Sequence, residues 1–185
     1  RKRFQWPRTL GVGLCFEELE VRPELATKLA ALCRDAGYHG AFEVEFLESE
    51  SRHLLIDFNP RFYGQMAFEI ARGLDLPLYV YLDAIGARDE LERAVARGRE
   101  AVAGRSDRAY CDRIELELAL RLLPLAGQFT DGDLAEWRAW LRGHDGVLSD
   151  AVWDRDDWAP GAIAAAAALV RRAAHPRSTW RAARG

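Results

Sequence analysis

The chain predicts an α+β fold, an antiparallel sheet with packed helices followed by a mainly helical tail. Three observations carry that expectation. Gly40 to Leu47 alternates apolar and acidic residues, and His53 to Arg61 begins apolar and ends in alternation, both strand patterns. Pro23 to Ala36 repeats Leu25, Leu29, Leu32 and Ala36 at helical spacing. From Arg88 onward strand signals fade, and alanine, leucine and arginine dominate. The expected division is therefore residues 1–87, with the sheet, and residues 88–185, a helical extension.

In chain order, Arg1 to Pro7 is already patterned like structure, and Gly11 to Phe16 is a short apolar run that suits a strand. Pro23 fits the first turn of the helix that follows, and Gly37 fits its C-terminal cap. Two strands joined by the polar link Glu48 to Arg52 make an antiparallel hairpin the simplest connection. Gly64 to Arg72 reads as a helix ended by Gly73, and Asp75-Leu76-Pro77 opens another that Gly86 closes. Arg88 to Val102 is an amphipathic helix interrupted by Gly98. Ile114 to Leu120 alternates like a strand, yet Ile114, Leu118 and Leu122 also fit a helix and the residue types are good helix formers, so a helix is expected. Thr130 to Asp133 resembles a capping box before a helix carrying Leu134, Trp137 and Leu141. Pro160 to Ala174 forms a last, alanine-rich helix, and the tail after His175 is expected to be loose.

A net charge of -3 with interspersed signs, and no basic stripe with interleaved aromatics, argues against nucleic acid as a partner. The longest apolar run, Ala162 to Val170, is far shorter than the roughly 18 to 20 residues that cross a bilayer, so no membrane span is expected. Cys15, Cys33 and Cys111 are widely spaced without a metal-ligand pattern, and are expected as reduced, packed thiols of a cytoplasmic protein. Basic charge is almost all arginine, the only lysines being Lys2 and Lys28.

The hairpin gathers the chemistry. Alternation sets Phe42, Val44 and Phe46 against Glu43 and Glu45 on the first strand, and Leu54, Ile56 and Phe58 against Asp57 and Asn59 on the second. Burying the aromatic faces together leaves Glu45, Asp57 and Asn59 side by side. Like charges so placed repel and ask for a cation, and carboxylate and amide oxygens suit a hard ion such as magnesium, shared with substrate phosphates.

The run Gly37-Tyr38-His39-Gly40 leading into Glu45-Phe46-Leu47, followed by Asp57-Phe58-Asn59-Pro60-Arg61, resembles the second half of the ATP-grasp domain. That family includes biotin carboxylase, carbamoyl phosphate synthetase and many carboxylate–amine ligases. Its glutamate is followed, a loop later, by an acidic residue, any residue, asparagine, any residue and arginine; Glu45 and Asp57 stand twelve apart, which suits the pattern. Gly73 to Pro77 and Ala84-Ile85-Gly86 look like the helical segment downstream in the carbamoyl phosphate synthetase-like branch. The likeness covers Arg1 to Gly86, so residues 1–87 would be the C-terminal lobe of an ATP-grasp domain.

Position by position, the resemblance implies that Glu45 and Asp57 hold magnesium, or manganese in its place, with Asp57 able to bridge two ions. Asn59 would complete the coordination, and Arg61 would steady the γ-phosphate or the acyl phosphate formed from it. Leu47 matches a position that often packs on adenine, and Asp57 would also face the nucleotide phosphates. The family more often has Glu at the Asp57 position, so the reach here is one methylene shorter. The resemblance also implies ATP, a small-molecule carboxylate and an amine as ligands, and a preceding lobe of the same protein with the glycine-rich flap, the phosphate-binding lysine and the adenine hinge. The alternatives are a non-catalytic nucleotide-binding descendant, or an interaction module presenting Tyr110 to Leu169 to a partner.

More ordinary roles stand beside these. The acidic face also reads as a solvated outer face, and Arg61 as a surface ion pair. The loop Phe62 to Gln65 reads equally as an acceptor contact or the start of a helix. The four histidines have no ligand spacing, and Trp137, Trp140, Trp153 and Trp158 are simplest as anchors of the helical tail.

Overall fold

The computed structural model describes residues 1–8, 11–49, 52–105, 107–154 and 156–184. It is a mixed α/β structure with small, mainly antiparallel sheets and packed helices. The chain forms two compact units, one of Arg1–Leu19 with Arg105–Gly185 and one of Glu20–Gly104. These bounds differ from the expected 1–87 and 88–185, because the first strands pair with a strand from the C-terminal half.

In the first unit, β1 (Lys2–Trp6), β2 (Val12–Glu17), β5 (Ala109–Cys111) and β6 (Leu148–Asp150) form a four-stranded sheet in that order. β1–β2 and β2–β5 are antiparallel, and β5–β6 is parallel. The two short strands β5 and β6 lie where strand signals fade: three-residue strands are too brief to show alternation, and all of β5 is buried, so no polar side marks it. The core joins Phe4, Leu14, Cys15 and Cys111 from the sheet to Leu116, Ala119, Leu120 and Leu123 of α5 (Arg113–Leu125).

Helix α5 resolves the ambiguity of Ile114 to Leu120 in favour of the helix; its first turn is capped by the Asp112 carboxylate, which accepts from the Glu115 N–H at 3.0 Å. The capping box before α6 (Asp131–Gly143) is present, with the Thr130 hydroxyl and Asp133 carboxylate each satisfying the other's backbone N–H. α6 docks through Trp137, edge-on to Phe4 at 4.9 Å, and Trp140, whose indole N–H donates to Glu17 at 2.7 Å. These two tryptophans are anchors; Trp153 and Trp158 are largely exposed, although the Trp153 ring lies where a Cβ on Gly161 of α7 (Ala159–Ala174) would be. The tail after His175, expected to be loose, is helix α8 (Pro176–Arg184), held to α5 with Ala183 fully buried. Its apolar Trp180 and Ala183 are three positions apart, a helical spacing easily overlooked in an arginine-rich segment.

The second unit starts with α1 (Pro23–Asp35), with Pro23 at its first position. Gly37 follows the capping Ala36 with φ 62°. The left-handed turn lets the Tyr38 N–H return to the Cys33 carbonyl at 2.8 Å. Strands β3 (Glu43–Ser49) and β4 (Arg52–Asn59) form a separate antiparallel hairpin. Glu50 and Ser51 of its expected link lie outside the described residues. Three helices follow: α2 (Met66–Arg72), α3 (Leu76–Ala84), capped by Asp75, and α4 (Arg88–Val102). Gly98, which interrupts the α4 pattern, is a packing contact: a Cβ there would lie 2.1 Å from the Tyr79 hydroxyl oxygen.

Candidate functional site

The hairpin register decides which side chains meet. Glu43 stands opposite Asn59, Val44 opposite Phe58, and Glu45 opposite Asp57. Register partners in an antiparallel pair project to the same face, so Glu43, Glu45, Asp57 and Asn59 share one side. Val44 and Phe58 share the other. The second face is closed by aromatic packing: Phe42 stacks on Phe58 at 5.2 Å, and Tyr38 meets Phe58 edge-on at 5.8 Å. The Tyr38 hydroxyl donates to the Ala41 carbonyl at 2.6 Å, which fixes the turn into β3. Packing on one face thereby holds the acids on the other.

A bulge between Glu45 and Phe46 changes the expected alternation beyond this point. Phe46 pairs with Leu55 and Leu47 with Leu54, which leaves Ile56 as the extra residue. Leu54, expected opposite the acids, therefore lies on their side together with Leu47. Both are about half exposed, at 49% and 56%. Leu55 moves to the aromatic side instead. No alternation rule can place a bulge from the residues alone, because the extra residue shifts the parity without changing the pattern of either strand.

The acidic face is thus a row: Glu43 and Asn59, then Glu45 and Asp57, then the apolar pair Leu47 and Leu54. Asn59, expected to complete a metal's coordination, donates from Nδ2 to the Asp57 carboxylate at 2.7 Å. Asp57 is exposed, while Glu43, Glu45 and Asn59 are partly buried. Glu43, which sequence reasoning left without a role, belongs to this row; its signal was the two-residue spacing to Glu45.

Arg61 follows β4 on an exposed turn. Its backbone N–H donates to the Asn59 carbonyl at 2.9 Å and its guanidinium to the Phe62 carbonyl at 3.0 Å, so it is folded onto its own loop. That loop leads through Tyr63 into α2, the helix-start reading of Phe62 to Gln65. Tyr63 is held in protonated form: burial first, then the charge and hydrogen bonding of Glu69 and the charge of Glu43, push its phenol well above the ordinary value. Glu69 is in turn bridged to Arg72 at 2.8 Å, and Arg72 lies over the Phe68 ring at 5.4 Å. A chain of contacts therefore ties the Arg61 loop to α2 beside the acidic face.

Two carboxylates and an amide form a hard-oxygen donor set. Magnesium commonly takes one or two carboxylates from the protein and its other ligands from water and phosphate, and this set is of that kind. Among the described residues no group of three or more His, Cys, Asp or Glu side chains is placed to hold a metal ion on its own. The histidines have other partners: His39 contacts Asp83 at 3.0 Å, His53 packs edge-on to Phe46, and His144 Nδ1 lies 2.9 Å from the Trp140 carbonyl. Among the described residues no helix is long and apolar enough to cross a membrane.

No protein-family model matches the chain, and no curated protein or solved structure matches it. The functional reading rests on the residues and their geometry.

Proposed function

We propose that the chain carries the metal- and nucleotide-binding face of an ATP-grasp-type ligase, which joins a small-molecule carboxylate to an amine through an acyl phosphate. The observation that carries the reading is the hairpin register, in which Glu45 stands opposite Asp57, with Asn59 directed at Asp57 and exposed Leu47 and Leu54 next along the same face. The order of groups suits a nucleotide, with oxygen donors toward the phosphates and an apolar pair toward the base.

A carboxylate resists attack by an amine because it must lose an oxygen. Transfer of the γ-phosphoryl group makes that oxygen a leaving group, and the amine then displaces phosphate. Glu45 and Asp57 supply the charge that fixes a divalent ion on this face, and Asn59 orients Asp57. Magnesium held by Glu45 and Asp57 would supply neutralisation of the phosphate charge. Arg61, released from its loop carbonyl, stabilises the anionic oxygens of the migrating phosphoryl group. Leu47 and Leu54 offer apolar contact to adenine.

The resemblance assigns the opposing wall of the pocket, with its lysine and glycine-rich flap, to another lobe of the same protein. On this reading the 185-residue chain alone binds ATP weakly and does not turn it over. The test uses the intact protein, assayed for phosphate release from ATP with panels of carboxylates and amines. Release that requires both substrates, and that Asp57→Ala and Asn59→Ala abolish, supports the proposal. Wild-type turnover in either variant contradicts it.

A further inference from the structure

Cys15 and Cys111 are 96 positions apart in the chain, yet their sulfurs lie 3.2 Å from each other. Both residues are fully buried, and they are register partners across β2 and β5. The neighbouring hydrogen bonds define the kind of pair they form. The Asp112 N–H donates to the Leu14 carbonyl at 2.8 Å, and the Glu18 N–H to the Arg108 carbonyl at 2.9 Å. Counting inward from either bond makes Cys15 and Cys111 a non-hydrogen-bonded pair, the position at which facing side chains come closest, with Cα atoms about 4.5 Å apart. That separation lies within the range a disulfide spans.

Their position along the chain gives the pair its consequence. β2 ends at Glu17 and β5 begins at Ala109, and the whole second unit, Glu20–Gly104, lies between them. A bond between the two sulfurs would join the outgoing and returning strands at the base of this excursion. Cys33, on α1 and only partly buried, has no part in it.

We propose that Cys15 and Cys111 are a latent disulfide site, oxidised by a low-molecular-weight disulfide to form a staple between β2 and β5. One sulfur attacks the small disulfide, forming a mixed disulfide and releasing one small thiol. The other then attacks the protein sulfur of that mixed disulfide, forming the Cys15–Cys111 bond and releasing the second small thiol. The protein loses two electrons and two protons, and the small disulfide gains both. The reaction is slow in the folded protein, because the hydrogen bond between the sulfurs and their burial hold the Cys111 thiol protonated, and attack needs the thiolate. The pair therefore stays reduced under brief exposure and records sustained oxidation.

The test incubates the full chain carrying Cys33→Ala with oxidised glutathione, without denaturant, and maps the disulfides by mass spectrometry of unreduced peptides. The expected product is an internally linked Cys15–Cys111 peptide, lighter by two hydrogens, that appears over a prolonged time course. In the parent protein it should appear after modification of Cys33. The oxidised protein should also melt at a higher temperature than the reduced protein, since the bond closes a long loop in the unfolded chain. Glutathione retained on either cysteine without an internal link, free thiols at the end of the time course, a link that forms only in denaturant, or a melting temperature no higher on oxidation would each overturn the proposal.

Discussion

The two sheets of this molecule invest their apolar residues in opposite ways. In the unit of the four-stranded sheet, Cys15 and Cys111 of the strands and Leu116 and Leu123 of α5 are completely buried, and Phe4 of β1 and Trp137 of α6 pack edge to face beside that core. The β3–β4 hairpin instead leaves Leu47, Leu54, Leu55 and Ile56 substantially exposed, and α1 has no buried residue. Between α1 and the hairpin lies an open groove of about 400 Å³, lined by Leu25, Leu29, Phe46 and Leu55 among others. The hairpin's own order comes from the Tyr38, Phe42 and Phe58 cluster at one end, the end that carries the acids. The first unit hides its apolar surface in a closed core, whereas the hairpin keeps part of its own accessible.

The largest effect should fall in the first unit. Leu116→Ala and Leu123→Ala each remove a fully buried side chain and should cost about 2–5 kcal/mol in urea unfolding. Leu54→Ala in the hairpin should cost under about 1 kcal/mol, since half of that side chain is already in water. Equal losses at Leu116 and Leu54 would break the contrast. Next in size is the α6 cap: Thr130→Ala should cost about 1 kcal/mol, read in the same way. No loss would show that α6 is held by Trp137 and Trp140 alone.

Acid should act on the first unit through Glu17. Burial pushes the Glu17 carboxyl up, but hydrogen bonds from Trp140 and Arg1 and the charges of Arg3 and Arg1 together outweigh it, leaving the folded pKa below the ordinary 4.5. A depressed carboxylate pKa contributes stability that is present above the unfolded value and is lost as pH falls through the folded value. Glu17→Gln should therefore be less stable at neutral pH and lose less stability on acidification. An unchanged acid limb would mean that these contacts carry little coupling. The smallest expected change is at the site itself: Asp57→Ala should leave stability almost unaltered, because it removes an exposed carboxylate facing another acid across the hairpin. A loss comparable to that of Leu116→Ala would make Asp57 structural.

Most elements were legible because local chemistry and packing agree. Pro23, Gly37, Asp75, Gly73 and the Thr130–Asp133 box each bound a helix where the sequence placed its ends. The acidic face was legible from alternation near Glu45 and Asp57. What escaped was information carried by distant pairing. β5 and β6 exist because β2 and each other accept their hydrogen bonds, and three residues give no periodic signal. The same pairing moved the division of the chain away from residue 87. The bulge that brings Leu54 beside Leu47 is likewise a property of two strands together. α8 was missed for a different reason, its few apolar positions being interspersed with three arginines.

Glu45, Asp57 and Asn59 are the proposed metal–nucleotide face. Manganese added with ATP to the isotope-labelled chain tests it most directly, because the paramagnetic ion broadens nearby amide signals even when binding is weak. Broadening should begin at Glu45, Asp57 and Asn59, extend to Leu47 and Arg61, require ATP for full effect, and disappear in Asp57→Ala and Asn59→Ala. Broadening centred elsewhere, or unchanged in those variants, would contradict it.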